Sequence, residues 1–93
     1  SPEDMNIMCR LPSVETMRVI GHDGTRYVLS VGSGERPDLD AIWSVYNSAG
    51  TELAPKFKKE YEKIVDSQKV WKEHSHEIVE KVAERFGWNY ERI

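Results

Sequence analysis

The sequence predicts a small α+β domain, in which a short antiparallel sheet packs against helices. Two runs rich in β-branched and aromatic residues, 15–20 and 26–31, flank a turn centred on Asp-Gly, which is typical of a β-hairpin. Apolar residues then recur at intervals of three and four between about residues 37 and 86, which indicates helices. A length of 93 residues fits one domain.

Composition narrows the classes of function. The net charge of −3 lacks the basic excess of a nucleic-acid-binding domain, so a nucleic-acid partner is not expected. A single cysteine, Cys9, excludes an internal disulfide framework and favours a reducing compartment. No run approaches the roughly 20 apolar residues of a membrane span, and no secretory signal is apparent. We therefore expect no membrane association and a cytoplasmic location.

The N-terminal segment divides into two parts. We expect residues 1–4 to be a non-native or disordered tail and residues 5–93 to form the domain. From Met5 to Leu11 every second residue is apolar, which predicts a strand over 5–11. Pro12 would end this strand, because proline cannot donate a ladder hydrogen bond.

The hairpin is predicted over about residues 15–31. A two-residue loop at Asp23-Gly24 would pair Ile20 with Tyr27. In that register both faces of the hairpin carry apolar side chains, which indicates cover on each face. The C-terminal segment 88–92 is a candidate for a further strand of the sheet.

Two helices are predicted after the hairpin. The first covers about residues 37–49 and would end at Gly50. The second covers about 55–86 as one continuous helix, with a break near Asp66-Ser67 as the alternative, since both residues are good N-caps. A helix of that length spans roughly 48 Å, more than the roughly 25–30 Å of a compact domain. It must therefore project, fold back or pack on another chain.

A heptad-like stripe along the second helix is the strongest functional feature. It either binds a partner helix or packs on the domain's own sheet, and both can hold along different halves. Trp71 is the expected anchor of an interface, because tryptophan is enriched at binding hot spots, while Trp43 and Tyr46 are assigned to the core. The predicted interaction residues are Tyr61, Ile64, Gln68, Trp71 and Ser75.

All seven lysines lie between Lys56 and Lys81. Most of them have an opposite charge four residues away, which is typical of a solvated helix face rather than a phosphate-binding patch. The four pairs are Lys56–Glu60, Lys58–Glu62, Lys69–Glu73 and Glu77–Lys81.

The Gly-Ser-Gly segment between the hairpin and the first helix is a weak candidate for anion binding. Ser33, Gly34 and Arg36 would hold a phosphate or nucleotide at the helix N-terminus. Pro37 and Asp38 oppose this, because the first lacks an N–H and the second adds negative charge. A plain strand-to-helix turn is the favoured interpretation.

No catalytic group, metal site or cofactor is predicted. His74 and His76 point about 200° apart on a helix and cannot share an ion, and His76 with Glu80 makes only two ligands. Both histidines are expected to be exposed. Cys9 has no activating base beside it in the sequence and is expected to be a small buried hydrophobe.

These observations favour a non-enzymatic interaction module, an inhibitor, adaptor or accessory subunit. Its expected partner is a second copy of itself, as a homodimer or higher oligomer, or another protein. The alternative is a protein that binds a phosphate-bearing small ligand at the Gly-Ser-Gly turn.

Overall fold

The computed structural model describes residues 1–21, 24–63 and 66–93. The described residues form a three-stranded antiparallel sheet and three helices, about 61% helical, which confirms the predicted α+β class. The molecule is elongated, with principal extents of 43 × 24 × 18 Å. In chain order the elements are α1 (Pro2–Arg10), β1 (Thr16–Ile20), β2 (Arg26–Ser30), α2 (Leu39–Lys63), α3 (Ser67–Phe86) and β3 (Asn89–Arg92).

The N-terminal segment is a helix, so the prediction of a strand over 5–11 is wrong. Met5, Met8 and Cys9 are buried in the main core, at the three- and four-residue spacing of a helix face. Ile7, which a strand would place beside Met5 and Cys9, is 45% exposed. Residues 2–4, which were expected to belong to a tail, form the first turn of α1. The carboxylates of Glu3 and Asp4 stabilise this turn through the positive end of the helix dipole.

The predicted hairpin is present, but its register differs by one residue. Ile20 pairs with Arg26 rather than Tyr27, and Gly21 donates to the Thr25 carbonyl at 2.8 Å to close a longer loop. The predicted turn centre at Asp23 lies outside the described residues. The shift separates covered from exposed side chains cleanly, because Met17 now pairs with Leu29 and Val19 with Tyr27. Helices therefore cover one face of the sheet, not both.

The C-terminal strand predicted over 88–92 is confirmed as β3. It pairs antiparallel with β2, which becomes the central strand of the order β1-β2-β3. Gly87 ends α3 in the left-handed conformation with φ of 75°, and the chain then turns back onto the sheet. Trp88, directly after it, is buried and packs on Phe86 with ring centroids 5.1 Å apart.

The helical residues divide differently from the prediction of a helix over 37–49 and another over 55–86. α2 runs through both Gly50 and Pro55, and the break falls before Ser67, where the alternative placed it. Asp66 caps α3, since its carboxylate accepts from the backbone N–H groups of Gln68 and Lys69 at 3.1 and 3.3 Å. Leu53 and Phe57 are buried on either side of Pro55, so packing against α3 holds α2 together there.

Two clusters of buried side chains result. The main core lies between the sheet, α1, the first half of α2 and the second half of α3. A smaller core of Leu53, Phe57 and Val70, with Ile78 packed against it, joins α2 to α3. The helices α2 and α3 form a helical hairpin, distinct from the β-hairpin of β1 and β2. We call its end, residues 57 to 63 and 66 to 75, the hairpin tip. The predicted long helix thus folds back on itself, and the tip is held by the smaller core.

Candidate functional site

His74 lies at the centre of an aromatic cluster on the hairpin tip. Its ring stacks on Phe57, with centroids 4.3 Å apart and planes 14° apart. Tyr61 and Trp71 meet it edge-on, at 6.1 and 6.0 Å. The Tyr61 hydroxyl lies 3.4 Å from Nδ1 of His74. We call the three side chains Tyr61, Trp71 and His74 the aromatic patch.

The aromatic patch is unusually exposed for its size. Trp71 is 51% exposed and Tyr61 is 36% exposed. Phe57 beneath them is buried, so the exposed rings rest on a fixed support. Burial lowers the pKa of His74, although the nearby Glu77 carboxylate has the opposite effect. The lowered pKa favours the neutral imidazole within the cluster.

Four of the five predicted interaction residues lie on the hairpin tip. Tyr61 and Trp71 flank His74, and Gln68 is exposed at the start of α3. Ser75 is half-buried and borders a cleft beside Trp71. Ile64 lies outside the described residues. His74 was not predicted to take part, because an isolated helical histidine gives no signal that it will stack on a residue of another helix.

Charge pairing across the helix pair differs from the predicted pairs along one helix. Lys56 pairs with Glu77 at 2.6 Å, and Lys81 pairs with Glu52 at 3.1 Å, each joining α2 to α3. Among the described residues none of the four predicted pairs at four-residue spacing forms an ion pair. The lysines therefore help to close the α2–α3 pair as well as solvate its surface.

A second arrangement lies where α3 meets the sheet. The His76 side chain is buried, and its Nδ1 is hydrogen-bonded to the Tyr90 hydroxyl. Its ring also meets Tyr27 edge-on, with centroids 6.2 Å apart. The expectation that both histidines are exposed is wrong, because packing of α3 on the sheet buries His76 and packing on α2 half-buries His74. The described residues contain no group of three or more ligands suited to a metal ion.

A cleft of about 360 Å³ opens beside Trp71, between the sheet, α2 and α3. Val19 and Tyr27 reach it from the sheet, and Tyr46 reaches it from α2. Trp71 and the predicted interaction residue Ser75 border it from α3, together with Val79. The cleft therefore adjoins the aromatic patch through Trp71. Trp43, assigned to the core with Tyr46, is instead 37% exposed and packs edge-on against that half-buried tyrosine.

The Gly-Ser-Gly turn and Arg36 make contacts that stabilise the fold. The Arg36 guanidinium donates to backbone carbonyls at the end of α1 and in the following loop, including Met8 at 2.8 Å, Leu11 at 3.1 Å and Val14 at 3.0 Å. The Met8 and Cys9 carbonyls belong to the last turn of α1, whose carbonyls a helix C-terminus leaves without intrahelical partners. Arg36 is therefore engaged away from the place where it would hold a phosphate.

The other two residues of that turn fit the same account. Gly34 lies against the backbone of Gly87, and a Cβ placed on it would lie 2.6 Å from the Gly87 carbonyl oxygen. Ser33 is exposed. Asp38 accepts a hydrogen bond from the Ala41 N–H at 2.8 Å, so a carboxylate already occupies the N-terminus of α2. The geometry gives the anion-binding interpretation no support.

Comparisons of the chain with protein-family models, with curated proteins and with solved structures found no match. Within the described residues, no helix combines the length and the apolar character needed to cross a bilayer. An exposed aromatic patch and an adjoining cleft are the features of the described surface that suggest a function.

Proposed function

We propose that this protein is a non-enzymatic protein–protein interaction module of the cytoplasm that self-associates through the hairpin tip. The observation that carries the proposal is the exposure of Trp71, 51% of whose surface faces solvent beside Tyr61. Tryptophan and tyrosine contribute most strongly to interfaces, because large rings bury much area at little cost in conformational entropy.

The support beneath the patch favours recognition of a fixed shape. Phe57 and His74 stack at 4.3 Å, and the small core holds α2 against α3 below them. A partner therefore meets rings that are already positioned, which lowers the entropy cost of binding. Exposed Gln68, one helical turn before Trp71, supplies a polar group at the rim, as interfaces typically have.

A second copy of the chain is the partner that the patch favours. Homo-oligomers most often use a two-fold axis that brings the same surface of each subunit together. The tip carries both signs of charge, with Lys69 and Lys72 on α3 and Glu60 and Glu62 on α2. A two-fold contact can therefore place lysines of one copy opposite glutamates of the other.

Light scattering coupled to size exclusion, at two protein concentrations, tests the proposal. We expect a mass above the 10.8 kDa of one chain, and a greater share of oligomer at the higher concentration. Trp71→Ala is expected to return the protein to the monomer with an unchanged far-UV circular dichroism spectrum.

Trp43→Ala is the matched control. Trp43 is also an exposed tryptophan, at 37%, but it lies on α2 roughly 27 Å from Tyr61 along the helix axis. We expect this variant to associate as the wild type does. A wild-type monomer at both concentrations would contradict self-association, and equal loss of association in both variants would contradict the assignment to the tip.

A further inference from the structure

The cleft beside Trp71 has the composition of a small-molecule site. Its volume of about 360 Å³ falls in the range of roughly 300–1,000 Å³ that ligand pockets occupy. Tyr27, Tyr46 and Trp71 supply aromatic surface, and Val19 and Val79 supply aliphatic surface. Among the described residues that line it, none has a charged side chain.

The Tyr27 side chain gives this cleft a specific polar group. Tyr27 is only 3% exposed and borders the cleft, and no hydrogen bond joins its hydroxyl to another described residue. An acceptor bound in the cleft would therefore accept a hydrogen bond from this hydroxyl in place of water. The position of Tyr27 on the central strand β2 holds this hydroxyl in place.

The surroundings keep that hydroxyl protonated. Burial raises the pKa of Tyr27 well above its usual value, and the nearby Tyr46, Asp4 and Tyr90 add to the effect. Burial also raises the pKa of Tyr46, and the nearby Glu3 adds to that effect.

We propose that this cleft binds an uncharged aromatic compound carrying a hydrogen-bond acceptor. The ring lies against Trp71 and Val79, and the acceptor accepts a hydrogen bond from the Tyr27 hydroxyl. The inference goes beyond self-association, because it assigns a ligand to a cavity that the aromatic patch borders only through Trp71.

Three aromatic probes that differ in charge distinguish the effect of ligand charge on affinity from the effect of ring packing. We would titrate the protein with benzamide, with benzoate and with benzyltrimethylammonium, and follow the backbone amides of Gly21 and Ser75 and the indole N–H of Trp71 by NMR. Benzamide is expected to give saturable shifts with a Kd on the order of 1 mM, which suits a fragment of its size. Benzoate and the ammonium compound are expected to bind at least about tenfold more weakly, because a charged probe loses hydration that no charged side chain of the described lining replaces.

Two variants assign the site. Tyr27→Phe keeps the ring and removes the hydroxyl, and we expect benzamide affinity to fall about fivefold or more, consistent with a lost hydrogen bond. Ser75→Leu narrows the cleft and is expected to abolish binding. Ser48→Leu is its control, because Ser48 also lines a helix groove but borders a different part of the surface.

The titrations distinguish a small ligand from a second protein chain as the occupant of the cleft. Equal affinity of all three probes, or equal binding by wild type and Tyr27→Phe, would overturn the proposal. Shifts at Trp71 that follow protein concentration but not benzamide would also overturn it, since a second chain would then fill the cleft. Tyr27→Phe is expected to leave the light-scattering mass unchanged, so failure here is distinguishable from failure of self-association.

Discussion

Gly34 lies directly against the backbone of Gly87, joining the turn before α2 to the end of α3. A Cβ at Gly34 would lie 2.6 Å from the Gly87 carbonyl oxygen and 2.7 Å from that of Phe86. Two hydrogen bonds close the same junction, because Glu35 donates to the Phe86 carbonyl at 2.8 Å and the Trp88 indole donates to the Glu35 carbonyl at 2.7 Å. The approach is set by contact with backbone, which cannot rotate away.

Gly34→Ala is therefore expected to destabilise the fold by roughly 1–3 kcal/mol, the usual cost of overpacking. Gly50→Ala is the matched control. A Cβ at Gly50 meets nothing within 4 Å, and the residue lies inside α2, so alanine is expected to stabilise by roughly 0.5–1 kcal/mol. Urea denaturation followed by circular dichroism measures both. Similar changes in the two variants would contradict the close approach at Gly34.

Arg36 is expected to stabilise the end of α1 through its fork of donors. Lysine keeps the charge but cannot reach the several carbonyls that the guanidinium joins, so Arg36→Lys should lower the free energy of unfolding by roughly 1–3 kcal/mol. Arg18→Lys, on the exposed face of the sheet, should change it by less than about 0.5 kcal/mol. An unchanged urea midpoint in Arg36→Lys would contradict this role.

The ion pair between Glu73 and Arg92 predicts an acid-dependent stability. Arg92 donates to both carboxylate oxygens, at 2.6 and 2.8 Å, and this hydrogen bonding holds the pKa of Glu73 below its ordinary value of 4.5. Because the folded-state pKa is the lower one, the stabilisation is present above the ordinary value and disappears as pH falls through the lowered one.

Glu73→Gln should therefore flatten the fall of the urea midpoint below about pH 4.5, while Glu62→Gln, an exposed glutamate of α2, should not. The carboxylates of Glu73 and Glu62 are both exposed. The two variants are therefore expected to differ in stability by under about 1 kcal/mol. Identical pH profiles for Glu73→Gln and wild type would show that the pair adds nothing measurable to stability.

His74 predicts a second pH dependence, at the hairpin tip. Burial lowers its pKa from the ordinary value of 6.5, so the unfolded chain binds the proton more readily than the folded one. Stability from the neutral ring is complete above the ordinary value and is lost as pH falls through the lowered folded value. We expect amide hydrogen exchange at the tip to show weaker protection at about pH 5 than at about pH 7.5, after correction for intrinsic exchange rates.

His74→Phe keeps an aromatic ring opposite Phe57 and removes the titration. Its protection at the tip should therefore vary less with pH than that of the wild type. An equal pH dependence in both proteins would assign the effect to another group. Tyr61→Phe is a useful companion, since it keeps the ring and removes only the hydroxyl that lies 3.4 Å from Nδ1 of His74.

Local patterns in the sequence predicted the features that depend on neighbouring residues alone. The β-branched runs predicted the hairpin, and the helical spacing to residue 86 predicted the end of α3, with a strand after it over 88–92. The N-cap preference of Asp66 marked the break between the long helices, although as the alternative.

What the sequence determined by itself was the presence of most elements: a hairpin, a closing strand and a long amphipathic helical region. Only the tertiary structure decided how they are divided and paired. Burial of Met5, Met8 and Cys9 made the first segment a helix, and contacts of α2 with α3 carried α2 through Gly50 and Pro55. Cover on one face fixed the register of the sheet, and the carbonyls at the end of α1 engaged Arg36. In each case the deciding free energy comes from contacts between residues distant in the chain, and the propensities of neighbouring residues do not include those contacts.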